Sequence, residues 1–117
     1  MADLAPSADP QTVVRGEIVR LPASSRARGR EQRGARYAVV VQADDLLGLS
    51  TALVAPASAN ARAATFRPVI ELLGTETRVL VEQTTVVDRE RLGDSAGRLA
   101  AAEMRAVDEA LRLILAL

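Results

Sequence analysis

The sequence predicts an α+β domain that is mainly β, a small antiparallel barrel or twisted sheet capped by one terminal helix. Apolar runs of strand length recur between Gly and Pro punctuation over residues 16–87. From Ala101 the period changes, and Met104, Val107, Leu111 and Ile114 recur at three-four spacing. A chain of 117 residues that is 49% apolar supports one domain with one modest core.

That domain is expected over residues 13–117. Residues 1–12 hold Pro6, Pro10, Asp3 and Asp9 without a basic residue or an apolar run. They read as a disordered leader or an added extension, not as a signal peptide. Residues 16–21 alternate polar and apolar and are stopped by Pro22, which makes a first strand. Residues 23–35 are small and cationic, carrying Arg26, Arg28, Arg30 and Arg33, and read as a long loop of the functional kind. Residues 37–42 are apolar or aromatic almost throughout, as in a strand buried on both faces. Arg36 is expected just before that strand, at the lip of the core.

Asp44 to Gly48 is turn-like, with room for one helical turn. A third strand is expected over residues 51–55, closed by Pro56, with residues 57–61 as a loop returning beside Arg36. Residues 66–73 read as an edge strand because Pro68 cannot donate to a ladder, and residues 74–76 turn it. Residues 78–82 and 84–87 are strand-like, and residues 93–99 form a short return. The terminal helix carries a second stripe at Ala106, Ala110, Leu113 and Leu117, which fits either packing on a second subunit or an Ala-rich helix lying flat on the barrel. Asp108 and Arg112 lie one turn apart and can pair. No stretch has the length and apolarity of a membrane-spanning helix.

Composition narrows the chemistry. The chain has no Cys, so thiolate chemistry and disulfides are excluded and a reducing cytoplasm is expected. It has no His, so any metal site would need carboxylates alone, and no cofactor is expected. All fifteen basic residues are Arg, each a planar fork suited to phosphate or carboxylate. Residues 1–36 carry seven Arg against four acids, whereas residues 70–117 carry six Arg against nine. The amino-terminal half therefore offers a cationic surface on a protein of zero net charge.

Glu31, Arg36, Ser58, Asn60 and Gln83 are the candidates for a site. Arg36 is a permanent cation, Ser58 a short donor, and Glu31 the one acid of the basic loop, which together make a phosphate clamp with a candidate base. RNA brings its own nucleophile, the 2′-hydroxyl, so such a clamp could cleave it without metal or His. The plainer alternatives are that Arg36 pairs with Asp44 or Glu82, and that Ser58 is a turn residue.

Arg15-Gly16-Glu17-Ile18, then Arg30-Glu31-Gln32-Arg33-Gly34-Ala35-Arg36 running into Val39-Val40-Val41-Gln42, resemble the opening blocks of MazF/PemK-type toxins. Pro56-Ala57-Ser58-Ala59-Asn60, Val81-Glu82-Gln83, Asp88-Arg89-Glu90-Arg91-Leu92 and Val107-Asp108-Glu109-Ala110-Leu111 resemble the later ones in order and spacing. The resemblance implies an SH3-like, CcdB/PemK-like barrel, a homodimer, and the toxin of a type II toxin–antitoxin pair. It implies a metal-independent, sequence-selective endoribonuclease whose products carry 2′,3′-cyclic phosphate and 5′-hydroxyl ends, held in check by a MazE-like antitoxin. Arg36 matches the family's catalytic arginine, Ser58 stands where the family more often has Thr and keeps the hydroxyl, and Glu31, expected with them in the catalytic set, matches like Gln83 a position near bound RNA. Gln83 and Asn60, with Arg26, Arg28, Arg30 and Arg33, are expected to bind RNA. The chain departs from the family in having Tyr37 where Pro is usual, and in lacking an aromatic residue near Val19. A CcdB-like gyrase poison would use a C-terminal Trp, and this chain has none. A non-catalytic SH3-like binding module would need aromatics to line its groove, and Tyr37 and Phe66 are all there are.

Overall fold

The structure is a computed structural model, and it describes residues 13–22 and 36–117. The leader at 1–12, and Glu31, Arg26, Arg28, Arg30 and Arg33 in the basic loop, lie outside the described residues. Seven strands form one antiparallel sheet, curled into a nearly closed barrel: β1 (Glu17–Leu21), β2 (Arg36–Val40), β3 (Thr51–Ser58), β4 (Val69–Leu72), β5 (Thr75–Val79), β6 (Thr85–Asp88) and β7 (Ser95–Arg98). The helix α1 (Ala101–Leu115) follows. The strand order is β4-β5-β3-β2-β1-β7, with β6 also paired to β3.

β2 is buried on both faces because its side chains alternate between two apolar clusters. Val39 packs with Ile18, Ala55, Ile70, Val79 and, from α1, Val107. Ala38 and Val40 pack with Val19, Leu21, Val54, Leu47 and Leu92. The strand begins at Arg36 itself, one residue earlier than expected, so the guanidinium stands on the sheet and not on the loop before it.

Pro56 does not close β3, which continues to Ser58. The reason lies in the ladder. β3 pairs with β2 along one edge, and on the other edge with β6 through Val54 and then with β5 from Ala57. The Pro56 carbonyl points to that second edge, where it accepts from Leu80 N–H at 2.8 Å. A residue's N and O face the same neighbour in an antiparallel strand, so the missing N–H of Pro56 falls in the gap between the two partners. Proline costs the sheet nothing there.

β4 is the expected edge strand, shortened to four residues. It joins β5 through a two-residue connection, Leu73-Gly74, with Leu72 paired to Thr75. Both residues have positive φ, +51° at Leu73 and +81° at Gly74, as a primed hairpin turn requires. Gly takes that conformation freely, whereas Leu pays about 1–2 kcal/mol. The segment 93–99 is not merely a return, since Ser95–Arg98 is a strand on β1. Residues 81 and 82, expected to continue a strand, belong instead to a 3-10 turn, Val81–Gln83.

The helix is held at its start by Glu103, whose carboxylate accepts from Ala100 N–H and from Glu71 N–H on β4, each at 2.8 Å. Val107 and Ala110 are buried, while Leu113, Ile114, Leu115 and Leu117 remain exposed. Asp108 pairs with Arg15 at 2.8 Å, not with Arg112. No helix among the described residues is long and apolar enough to cross a membrane.

Candidate active site

The carboxyl end of β3 and the start of β2 meet at one rim of the barrel. Tyr37 is opposite Ala57 in the register, so Arg36 and Ser58 each lie one step from that pair. A cavity of about 300 Å³ opens there, lined by Arg36, Tyr37, Ser58 and Asn60, and by Leu72, Leu73, Thr75 and Thr77 of the β4–β5 hairpin. The site thus gathers three of the five candidates. Glu31 lies outside the described residues, and Gln83 stands exposed on the turn Val81–Gln83, apart from the cavity lining.

Among the described residues Arg36 is the one cation lining the cavity, and no carboxylate lines it. Asp44 and Glu82, the two acids expected as plain partners of Arg36, are engaged elsewhere. The Asp44 carboxylate accepts from Arg15 N–H at 2.7 Å. Glu82 takes two N–H groups of Arg67, at 2.9 and 2.6 Å on the same oxygen. Among the described residues the Arg36 guanidinium has no ion-pair partner, so its charge faces the cavity. An uncompensated guanidinium on a rigid strand is suited to a phosphate.

Ser58 closes β3 and also shapes the turn after it, since its Oγ accepts from Asn60 N–H at 3.2 Å. The turn reading and the site reading of Ser58 therefore coexist. The hydroxyl proton stays free to donate, and the same bond fixes Asn60 at the cavity wall. The loop beyond is braced by Arg67, which donates to the Arg62 carbonyl at 3.1 Å, and by Arg78, which donates to the Arg67 carbonyl at 3.0 Å. Thr77 is buried and donates to the Thr75 carbonyl at 2.9 Å.

Reasoning from the sequence did not single out Leu73, Thr75 or Thr77 for the site, and treated Tyr37 only as a departure. The available signal was Leu73-Gly74, an apolar residue where Asn or Asp commonly precedes the glycine of a hairpin.

Comparison with known proteins follows the same lines. The family model for the PemK-like, MazF-like toxin of type II toxin-antitoxin system matches residues 14–115. A protein of Mycobacterium tuberculosis (strain ATCC 25618 / H37Rv), "Putative toxin Rv3098A/RVBD_3098A", is 43% identical over 75 residues, which are 64% of this chain and 70% of that protein. Among solved structures, a mycobacterial endoribonuclease in complex with its cognate antitoxin superposes with a TM-score of 0.76 at 18% identity, covering 90% of this chain and 96% of that one. MazF from Deinococcus radiodurans gives 0.73 at 23% identity over 90% and 97%. The Mycobacterium tuberculosis toxin MazF-mt6 gives 0.71 at 19% identity over 86% and 97%. At these identities the likeness to the solved structures carries the barrel fold.

Proposed function

Because the chain belongs to the PemK-like, MazF-like toxins of type II toxin–antitoxin systems, we propose that it is an endoribonuclease that cuts single-stranded RNA in the cytoplasm at selected sequences. The observation that carries this is the Arg36 guanidinium, without an ion-pair partner among the described residues, sharing one cavity with the Ser58 hydroxyl. In the reaction the RNA 2′-oxygen bonds to phosphorus and the bond from phosphorus to the 5′-oxygen breaks. The proton leaving the 2′-hydroxyl is balanced by one delivered to the departing 5′-oxygen. The products are a 2′,3′-cyclic phosphate and a 5′-hydroxyl.

Arg36 neutralises the equatorial oxygens as charge builds on them, and Ser58 donates a further hydrogen bond. Glu31 is the proposed base. With the nucleophile supplied by substrate and no His or Cys in the chain, the reaction is written without a metal. Asn60 and Gln83, with Arg26, Arg28, Arg30 and Arg33, are proposed to bind RNA beyond the cleaved bond. The mycobacterial neighbour is in complex with its cognate antitoxin, and a MazE-like acidic, apolar tail would compete with RNA for the same cationic surface here. A homodimer is proposed through the exposed face of α1.

The test is to incubate the protein in excess EDTA with a long mixed-sequence RNA, beside the Arg36→Ala variant, and to map the ends. Discrete cuts with 5′-hydroxyl ends from the wild type, and a loss of at least about a thousandfold in the variant, are expected. Intact RNA with folded wild-type protein would overturn the reading.

A further inference from the structure

Resting on this ribonuclease reading, we propose that the cavity between the β4–β5 hairpin tip and the start of β2 is a nucleobase subsite, in which Tyr37 and Leu73 hold the base beside the cleaved phosphate. Two separate observations meet there.

One is Leu73. It occupies a left-handed position, φ +51°, in a two-residue hairpin connection and is 67% exposed. Asn, Asp or Gly would take that backbone with less strain, and so exposed a side chain adds little to the core. Folding therefore gives no reason for leucine. Strain retained at the rim of a cavity points to something the side chain does for a ligand.

The other is Tyr37. RNA read as a single strand is usually held by unstacked bases on aromatic faces, and this chain has one Tyr, one Phe and no Trp. Phe66 and Tyr37 both pack in part against the core, but the Phe66 ring lies under the Arg67 guanidinium at 5.7 Å and outside the cavity lining. Tyr37 is the aromatic residue that lines the cavity.

The remaining lining suits a base edge. Asn60 offers both a donor and an acceptor, and Thr77, whose proton is committed to Thr75, can still accept. A volume of about 300 Å³ is at the small end of ligand pockets and matches one base better than a longer segment. Arg36 and Ser58 line the same cavity, so the base and phosphate of one nucleotide would be held together.

The experiment compares wild type and Leu73→Asn on a short single-stranded RNA carrying a mapped cut site, and on the same RNA with an abasic residue on either side of the cut. Leu73→Asn is expected to melt at a higher temperature than wild type and to cut the intact RNA with kcat/KM lowered about tenfold. One abasic RNA should be cut about tenfold less well by wild type, and no less well again by the variant, because both changes remove the same contact. Equal cleavage of intact RNA by both proteins would overturn the subsite while leaving the nuclease reading intact, as would effects that simply multiply. Unchanged cleavage with loss of inhibition by an antitoxin peptide would assign Leu73 to a protein partner instead. A wild type that cuts no RNA would remove the nuclease reading, and the subsite with it.

Discussion

Ser58 serves the backbone in the structure, its Oγ accepting the Asn60 N–H at 3.2 Å, and in the proposed reaction its proton goes to a phosphate oxygen. Ser58→Ala removes both roles and is expected to lower kcat/KM about a hundredfold, the scale of losing one donor to a developing oxyanion. Ser58→Thr keeps the hydroxyl at the end of a strand, where a β-branched residue fits, and should cut RNA within about threefold of wild type. Single-turnover cleavage of one RNA by both variants checks this, and an inactive threonine variant would remove Ser58 from the chemistry. Arg36, Ser58 and Asn60 were legible in the sequence because a cation, a hydroxyl and an amide stand beside strand-length apolar runs. Leu73 was not, since its meaning lies in a positive φ, and a leucine at the end of an apolar run reads as strand.

At the scale of elements, strand bounds depend on partners that the local sequence does not name. Pro56 reads as a stop because proline breaks a ladder with two partners, yet β3 changes partner at that very residue. β7 has the sequence Ser-Ala-Gly-Arg, with no apolar alternation to mark it, and exists because β1 offers an edge. The connection into β7 is tight. A Cβ on Gly93 would meet the Arg20 carbonyl oxygen at 2.7 Å, and Gly93 N–H already donates to that oxygen at the same distance. Gly93→Ala must push backbone from backbone and is expected to destabilise by about 2 kcal/mol, read as a lower urea midpoint at unchanged slope. The loop wall of the site depends on another contact. The Arg67 and Glu82 side chains are each 23% exposed, with Nε and Nη2 of Arg67 donating to one Glu82 oxygen, so Arg67→Ala leaves a mostly buried carboxylate without its partner. A loss of about 2 kcal/mol and faster proteolytic nicking between residues 59 and 68 are expected, and resistance equal to wild type would show that the loop holds itself.

For the whole molecule, the terminal helix supplies a face that one barrel does not cover. Leu115 and Leu117 line a cavity of about 420 Å³ together with Leu53 of β3, and Leu53 is paired in register with Val86, itself exposed, on β6. Apolar side chains of the sheet and of the helix end therefore meet around one cavity, whose lining also holds Arg15, Thr84, Asp108 and Arg112. Surfaces of this kind mark interfaces, and the helical spacing of the second stripe already pointed to one, while its continuation onto β3 and β6 needed the sheet register to be seen. In a twofold dimer each residue of the interface enters twice, so Leu53→Arg would bring two buried, unpaired cations into one contact at a cost neither could recover. Because Leu53 is 39% exposed in the single chain, the same substitution should change the stability of the isolated fold by no more than about 0.5 kcal/mol. Sedimentation at micromolar concentration is expected to give twice the chain mass for wild type and the single mass for Leu53→Arg, with circular dichroism unchanged. A variant that remains dimeric would move the interface off this face, and a wild type that sediments as one chain would leave the face to a different partner.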